Sequence, residues 1–77
     1  MNTPATQSLD ARGLNCPLPI LRTKKTLSAL NTGDTLAVTS TDPGSVKDMQ
    51  SFCNQTGNVL VSSAANQGEF VFLIRKS

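Results

Sequence analysis

The order of apolar and polar positions along the chain predicts six short elements. Apolar residues alternate with polar ones, or β-branched residues cluster, where strands are expected, and apolar residues recur every three or four positions where helices are expected. The predicted strands cover residues 7–12, 35–40, 58–64 and 69–76, and the predicted helices cover residues 17–31 and 43–56. The elements therefore follow one another in the order β-α-β-α-β-β.

The same periodicity assigns the side chains that face the core. In the first helix the inward stripe is Ile20, Thr23, Leu27 and Leu30, and in the second it is Val46, Met49, Cys53 and Thr56. On the last strand Phe70, Phe72 and Ile74 share one face, opposite Val71 and Leu73, and we expect them to pack.

Turn residues mark where the elements begin and end. Asp42 is predicted as the N-cap of the second helix, with Pro43 at its first helical position. Gly57 stands where a left-handed residue closes that helix. Residues 66–68 (Asn-Gln-Gly) predict a hairpin between the last two strands.

The predicted fold is an α/β two-layer sandwich in which a four-stranded mixed sheet carries both helices on one face. Two helical crossovers favour parallel pairing among the early strands, and the terminal hairpin adds an antiparallel member. We expect residues 1–8 to be flexible and residues 9–77 to form one domain.

Composition narrows the chemistry that this domain can perform. The 77 residues include no histidine, which excludes Ser-His-Asp and Cys-His catalysis, and no cluster of metal ligands is seen, so no metal site is expected. The net charge of +2 is too small for a dense nucleic-acid-binding face, and DNA is not expected as a partner. The first residues resemble no signal peptide, no apolar run is long enough to span a membrane, and the two cysteines form no C-x-x-C pair, so a cytoplasmic protein is expected.

The segment from Leu9 to Pro19 holds the candidate chemistry. It places Cys16 at the mouth of the first helix, where Pro17 and Pro19 stiffen the first turn and the amide of Leu18 is expected to stay free to face the sulfur. The positive end of the helix dipole favours a thiolate there. Four basic residues lie near Cys16 in sequence, and their positive charges are expected to stabilise the thiolate as well: Arg12, Arg22, Lys24 and Lys25. The alternative is that Cys16 is a small buried apolar residue.

The motif L-D-x-x-G-L-x-C-P-x-P, from Leu9 to Pro19, resembles the signature of the TusA-type (SirA-like) sulfur carriers. The similarity extends over nearly the whole chain and includes the Gly33 turn, Asp42-Pro43, Asp48, Phe52-Cys53, Gly57 and the closing residues 73–76. Within the motif Asp10, Gly13, Pro17 and Pro19 are expected to support Cys16. Leu18 occupies the variable position, and no branch of the family is inferred from it.

This resemblance implies that Cys16 carries a persulfide, which is covalent and needs no separate cofactor. A cysteine desulfurase or a rhodanese-like protein would donate the sulfur, and an acceptor protein would receive it for tRNA thiolation, sulfur oxidation or cofactor assembly. Such a domain is a carrier with sulfurtransferase-type chemistry rather than a stand-alone enzyme, and a monomer is expected. We expect Arg12, Arg22, Lys24 and Lys25 to attract an acidic partner as well.

Two other classes of function stay open from the residues alone. An RNA-binding module would use the basic helix, although tyrosine is absent and the basic residues form no dense stripe. A thiol-redox regulator would need Cys16 and Cys53 to pair, whereas the helical stripe predicts Cys53 in the core. Asp48 is predicted to be a solvated helix residue. Asp42 is assigned to capping or turn formation, and the role of Asp10 is undecided.

Overall fold

A computed structural model describes residues 5–77 and has the predicted order of elements. The strands are β1 (Gln7–Ala11), β2 (Thr35–Ser40), β3 (Val59–Asn66) and β4 (Glu69–Arg75), and the helices are α1 (Leu18–Ser28) and α2 (Ser45–Thr56). Of the segment 1–8 that we predicted to be flexible, residues 1–4 lie outside the described part. Gln7 and Ser8 already belong to β1, because they pair with Leu36 and Ala37 of β2. Just before β1, Thr6 and Thr35 exchange hydrogen bonds between backbone amide and hydroxyl at 3.1 Å.

The four strands form one mixed sheet in the order β1-β2-β4-β3. β1 pairs with β2 in parallel, and β4 pairs antiparallel with both β2 and β3. The parallel pairing of the early strands therefore holds only for β1 and β2, because the terminal hairpin folds back and inserts β4 between β2 and β3. The hairpin turns at Gln67 and Gly68, which both have positive φ as a two-residue turn between twisted strands requires.

The core lies between the sheet and the two helices. Its buried apolar side chains are Ala11, Leu27, Leu36, Val38, Met49, Phe52, Cys53, Phe72 and Ile74. The predicted stripe of α1 is confirmed, since Thr23 and Leu27 are buried and Ile20 and Leu30 pack against the core. The predicted stripe of α2 is wrong only at Thr56, which is exposed near the end of the helix.

The helix ends differ from the predicted ones for local reasons. α1 ends at Ser28 instead of residue 31, because the amides of Ala29 and Leu30 bond three residues back and tighten the last turn. α2 begins at Ser45 rather than Pro43, because a turn at Asp42 accepts both the amide and the hydroxyl of Ser45 at its carbonyl oxygen. Gly57 closes α2 with φ 81°, which confirms the predicted left-handed cap.

Within residues 5–77, no helix covers the second face of the sheet. Phe72 and Ile74 of β4 are fully buried toward the helices, whereas Val71 on the opposite face is 39% exposed. Val59 and Val61 of β3 are exposed as well. Neither helix in the described part of the chain has the length and apolar character of a membrane-spanning segment.

Candidate functional site

Parallel pairing of β1 and β2 brings two loops to one edge of the sheet. Ala11 and Ser40, the last residues of these strands, lie opposite each other in the register, so the loops that follow leave the sheet side by side. The amide of Gly13 donates to Oγ1 of Thr41 at 2.9 Å. The amide of Cys16 donates to Oδ2 of Asp42 at 2.8 Å. These bonds join the segment that carries Cys16 to the start of α2.

Cys16 is an exposed free cysteine immediately before the first turn of α1. Pro17 is the N-cap residue, and Pro19, at the second helical position, is buried. The amide of Leu18 donates to the carbonyl of Asn15 at 2.8 Å, so the expectation that this amide stays free to face the sulfur is wrong. The amide is already bonded within the loop, because the loop folds into a tight turn before the helix.

The thiol of Cys16 contacts a carboxylate of α2. Its Sγ donates to Oδ2 of Asp48, 2.7 Å away. This hydrogen bond holds the proton on sulfur and raises the pKa of Cys16, and partial desolvation of the thiol and the negative charges of Asp48 and Asp42 act in the same direction. The predicted stabilisation of a thiolate in the unloaded protein is therefore wrong, because the charges that act on the sulfur are the carboxylates of Asp48 and Asp42 and not the basic residues that we named.

Asp42 connects the two halves of the site with one carboxylate. Its Oδ1 accepts the amide of Gly44 at 3.1 Å, and its Oδ2 accepts the amide of Cys16. Of the two roles predicted for Asp42, capping and turn formation, the structure shows turn formation before α2. The same carboxylate also positions the backbone of Cys16. The N-cap residue itself is Gly44.

A shallow groove of about 240 Å³ opens beside the thiol between α1 and α2. It is lined by Cys16, Pro17, Ile20, Asp48, Ser51, Phe52 and Gln55. Its apolar lining comes from Pro17, Ile20 and Phe52, while Asp48, Ser51 and Gln55 give it a polar side. A groove of this size can admit a small thiol group or the tip of a partner's side chain.

Among residues 5–77, no hydrogen bond joins Cys16 to any of the four predicted basic residues. The guanidinium of Arg12 binds Asp10 at 2.9 Å and Glu69 at 3.5 Å, beside the outer face of the sheet. The hydrogen bonds that the side chain and the backbone amide of Arg12 donate to Asp10 hold the pKa of that carboxyl down to about 2. The other three basic residues, Arg22, Lys24 and Lys25, lie exposed on α1.

Cys53 lies on the inward face of α2 and is only 4% exposed, which confirms that it fills the core. Burial raises the pKa of its thiol. Both cysteines are free thiols. Within residues 5–77, no group of three side chains has the composition and proximity of a metal site.

Asp48 is the site residue that the sequence interpretation missed. The helical pattern predicts Asp48 on the solvated side of α2, whereas the structure places it half-buried against Cys16. The parallel pairing of β1 and β2 could have revealed it, since adjacent parallel strands bring the start of α2 to the loop that holds Cys16. Helical spacing then places Asp48 next to Ser51 and Phe52, which line the same groove.

The fold and the site together define a small two-layer α/β domain that presents one exposed cysteine at the start of a helix. The family model described as sulfurtransferase TusA matches residues 7–76, and the chain belongs to this family. It is 62% identical over 71 residues to the sulfur carrier protein TusA of Allochromatium vinosum, which covers 92% of this chain and 93% of that protein.

Two further comparisons agree with this assignment. A putative sulfur carrier protein of Neisseria meningitidis serogroup A is 45% identical over 69 residues, covering 90% of this chain and 93% of that protein. The crystal structure of a SirA-like protein from Desulfitobacterium hafniense superposes with a TM-score of 0.81 at 25% identity, covering 91% of this chain and 96% of that one. Family and relatives support a sulfur carrier role.

Proposed function

We propose that this protein is a sulfur carrier in which Cys16 holds the transferred sulfur as a persulfide. The observation that carries the proposal is the contrast between the two cysteines. Cys16 is exposed on a loop anchored by hydrogen bonds and opens into a groove, whereas Cys53 is buried in the core. Membership of the TusA family and the names of the relatives support the same function.

The transfer needs only one accessible sulfur. Cys16 attacks the terminal sulfur of a donor persulfide, a sulfur–sulfur bond forms at Cys16, and the donor's own sulfur–sulfur bond breaks. The donor cysteine leaves as a thiolate and takes up the proton that Cys16 has lost, so electrons and atoms balance without an oxidant. The carrier itself has no histidine to act as a base, and the docked partner can supply acid and base groups.

Donor and acceptor are proposed as proteins that dock at the start of α1. A cysteine desulfurase or a rhodanese-like protein would supply the sulfur, and an acceptor protein of tRNA thiolation, sulfur oxidation or cofactor assembly would take it. Leu18 and Leu21, 45% and 54% exposed, lie on α1 close to Cys16 in sequence and give this surface an apolar part. Arg22, Lys24 and Lys25 give it a positive part. We propose that the carrier works as a cytoplasmic monomer.

Intact-mass analysis after incubation with a cysteine desulfurase and cysteine tests this proposal. The wild-type protein should gain the mass of one or more sulfur atoms. Cys16→Ser should abolish the gain, because the carrying sulfur is removed, and Cys53→Ser should keep it. Equal gains in both variants, or a gain that depends on Cys53 alone, would contradict the proposal.

A further inference from the structure

The contact between Cys16 and Asp48 depends on a proton that sulfur loading removes. In the unloaded protein, Sγ of Cys16 carries the hydrogen that Asp48 accepts over 2.7 Å. In a persulfide the same Sγ is bonded to Cβ and to the added sulfur, and it has no hydrogen left to donate. The hydrogen bond to Asp48 therefore cannot exist at Sγ once the carrier is loaded.

The geometry also excludes the added sulfur from the space between the two groups. A sulfur–sulfur bond is about 2.0 Å long, and the 2.7 Å between Sγ and Oδ2 leaves no room for a third atom. The added sulfur must lie in the groove beside Pro17, Ile20 and Phe52, or point to solvent. In either position Sγ of Cys16 no longer donates to the carboxylate of Asp48.

We propose that Asp48 is a positioning residue that distinguishes the unloaded carrier from the loaded one: it holds the thiol of Cys16 against α2 and releases it when sulfur is bound. The inference rests on the proposed function of Cys16. Donor and acceptor then meet different surfaces. The unloaded loop is tied to α2 and the turn before it at three points, through Asp48, Asp42 and Thr41, and the loaded loop only through Asp42 and Thr41. This difference gives donor and acceptor a means of distinguishing the unloaded carrier from the loaded one.

The electrostatics around Cys16 support this assignment. The carboxylate of Asp48 faces the sulfur from α2, and that of Asp42 faces it from the loop before α2. Ile20 of α1 and Pro17, its N-cap residue, carry no charge and line the same groove. The surroundings thus favour a neutral thiol, and the raised pKa of Cys16 agrees with them.

The first test measures the pH dependence of alkylation of Cys16 by iodoacetamide, resolved by peptide mass. Asp48→Asn keeps the size of the side chain and removes its charge, so the profile should move to lower pH and the rate at neutral pH should rise severalfold. Asp48→Glu should stay close to the wild type. Asp34→Asn, which makes the same charge change at the opposite end of β2, should leave the profile unchanged.

The second test compares the unloaded protein with one whose Cys16 has been converted to a methyl disulfide by methyl methanethiosulfonate. This probe adds a sulfur and removes the thiol proton. The backbone amide signals of α2 around Asp48 should move on modification of the wild type, and they should move much less in Asp48→Asn, where the charged contact is already lost. The wild-type comparison needs no variant and therefore survives any folding defect.

The proposal is overturned if Asp48→Asn leaves the alkylation profile in place, or if modification leaves the α2 signals of the wild type unmoved. Neither test involves a sulfur donor. A wild-type protein that accepts no sulfur from any donor would contradict the proposed function, whereas an unchanged Asp48→Asn profile in a protein that loads normally would contradict only the role of Asp48.

Discussion

Replacing Cys53 by serine tests the division of roles between the two cysteines. Cys53 is 4% exposed and belongs to the core cluster with Met49 and Phe52. Burying a hydroxyl without a hydrogen-bond partner costs about 1–3 kcal/mol. The structure argues for the lower part of this range, because a hydroxyl on a helix can bond to the carbonyl four residues earlier. Thr23 does so to Pro19 at 2.7 Å, and Thr56 does so to Phe52 at 2.8 Å.

The carbonyl of Met49 is the corresponding acceptor for a serine at position 53. We therefore expect Cys53→Ser to lower the free energy of unfolding by about 1 kcal/mol, which lowers Tm by roughly 4–8 °C in a domain of this size. Urea unfolding followed by circular dichroism measures the first quantity, and a thermal scan measures the second. Sulfur loading of the folded variant should remain at the wild-type level.

Cys16→Ser is the matched control, because the same atoms change at an exposed position. Its stability should stay within about 0.5 kcal/mol of the wild type, while its sulfur loading should disappear. A Cys53→Ser protein that is as stable as the wild type would refute the argument from burial. A Cys53→Ser protein that folds and no longer loads sulfur would refute the assignment of the chemistry to Cys16 alone.

Two further predictions concern charges. Replacing both Arg22 and Lys25 by alanine should slow sulfur acceptance from a protein donor mainly at low salt. The reason is that the Debye length falls from about 10 Å at 0.1 M to about 3 Å at 1 M, so high salt screens these charges in the wild type as well. Equal rates for variant and wild type at every ionic strength would show that this surface is not the docking face. The Asp10 carboxyl should titrate near pH 2 by NMR, and Arg12→Gln should move its midpoint upward. Since the folded pKa of Asp10 is lowered, its pairing should favour the folded state above the ordinary pKa of the carboxyl and cease to do so as pH falls toward 2. The exposure of this ion pair to solvent keeps its effect on stability small. An Asp10 midpoint that stays in place in Arg12→Gln would refute this pairing.

The fold followed from local patterns that act over short stretches of sequence. Periodicity located both helices and all four strands, and Gly57 marked the end of α2 because only a residue free to adopt positive φ fits there. The position of β4 between β2 and β3 did not follow, since the pairing partner of a hairpin depends on tertiary packing rather than on the hairpin's own residues. The early end of α1 depends on a tightened last turn that has no strong signal in the residue types.

The candidate site was predicted only in part, for a similar reason. Cys16 and the two prolines around Leu18 form a local pattern, and the structure places this cysteine before α1 as that pattern indicated. The interaction with Asp48 joins residues that are 32 positions apart, so no local pattern contains it. Proximity in sequence favours Arg12 as one neighbour of the sulfur. Its guanidinium instead binds the carboxylate of Asp10, which is only two residues away.

The role of Cys16 as the carrying residue is tested most directly by the distribution of transferred sulfur between the two cysteines of the unmutated protein. Trypsin separates them, because Cys16 lies in the peptide from Gly13 to Arg22 and Cys53 in the peptide from Asp48 to Arg75. After incubation with a cysteine desulfurase and cysteine, mass analysis of the non-reduced digest should find the added sulfur on the Cys16 peptide and the Cys53 peptide unmodified. Added sulfur on the Cys53 peptide, or equal occupancy of both peptides, would contradict Cys16 as the carrying residue.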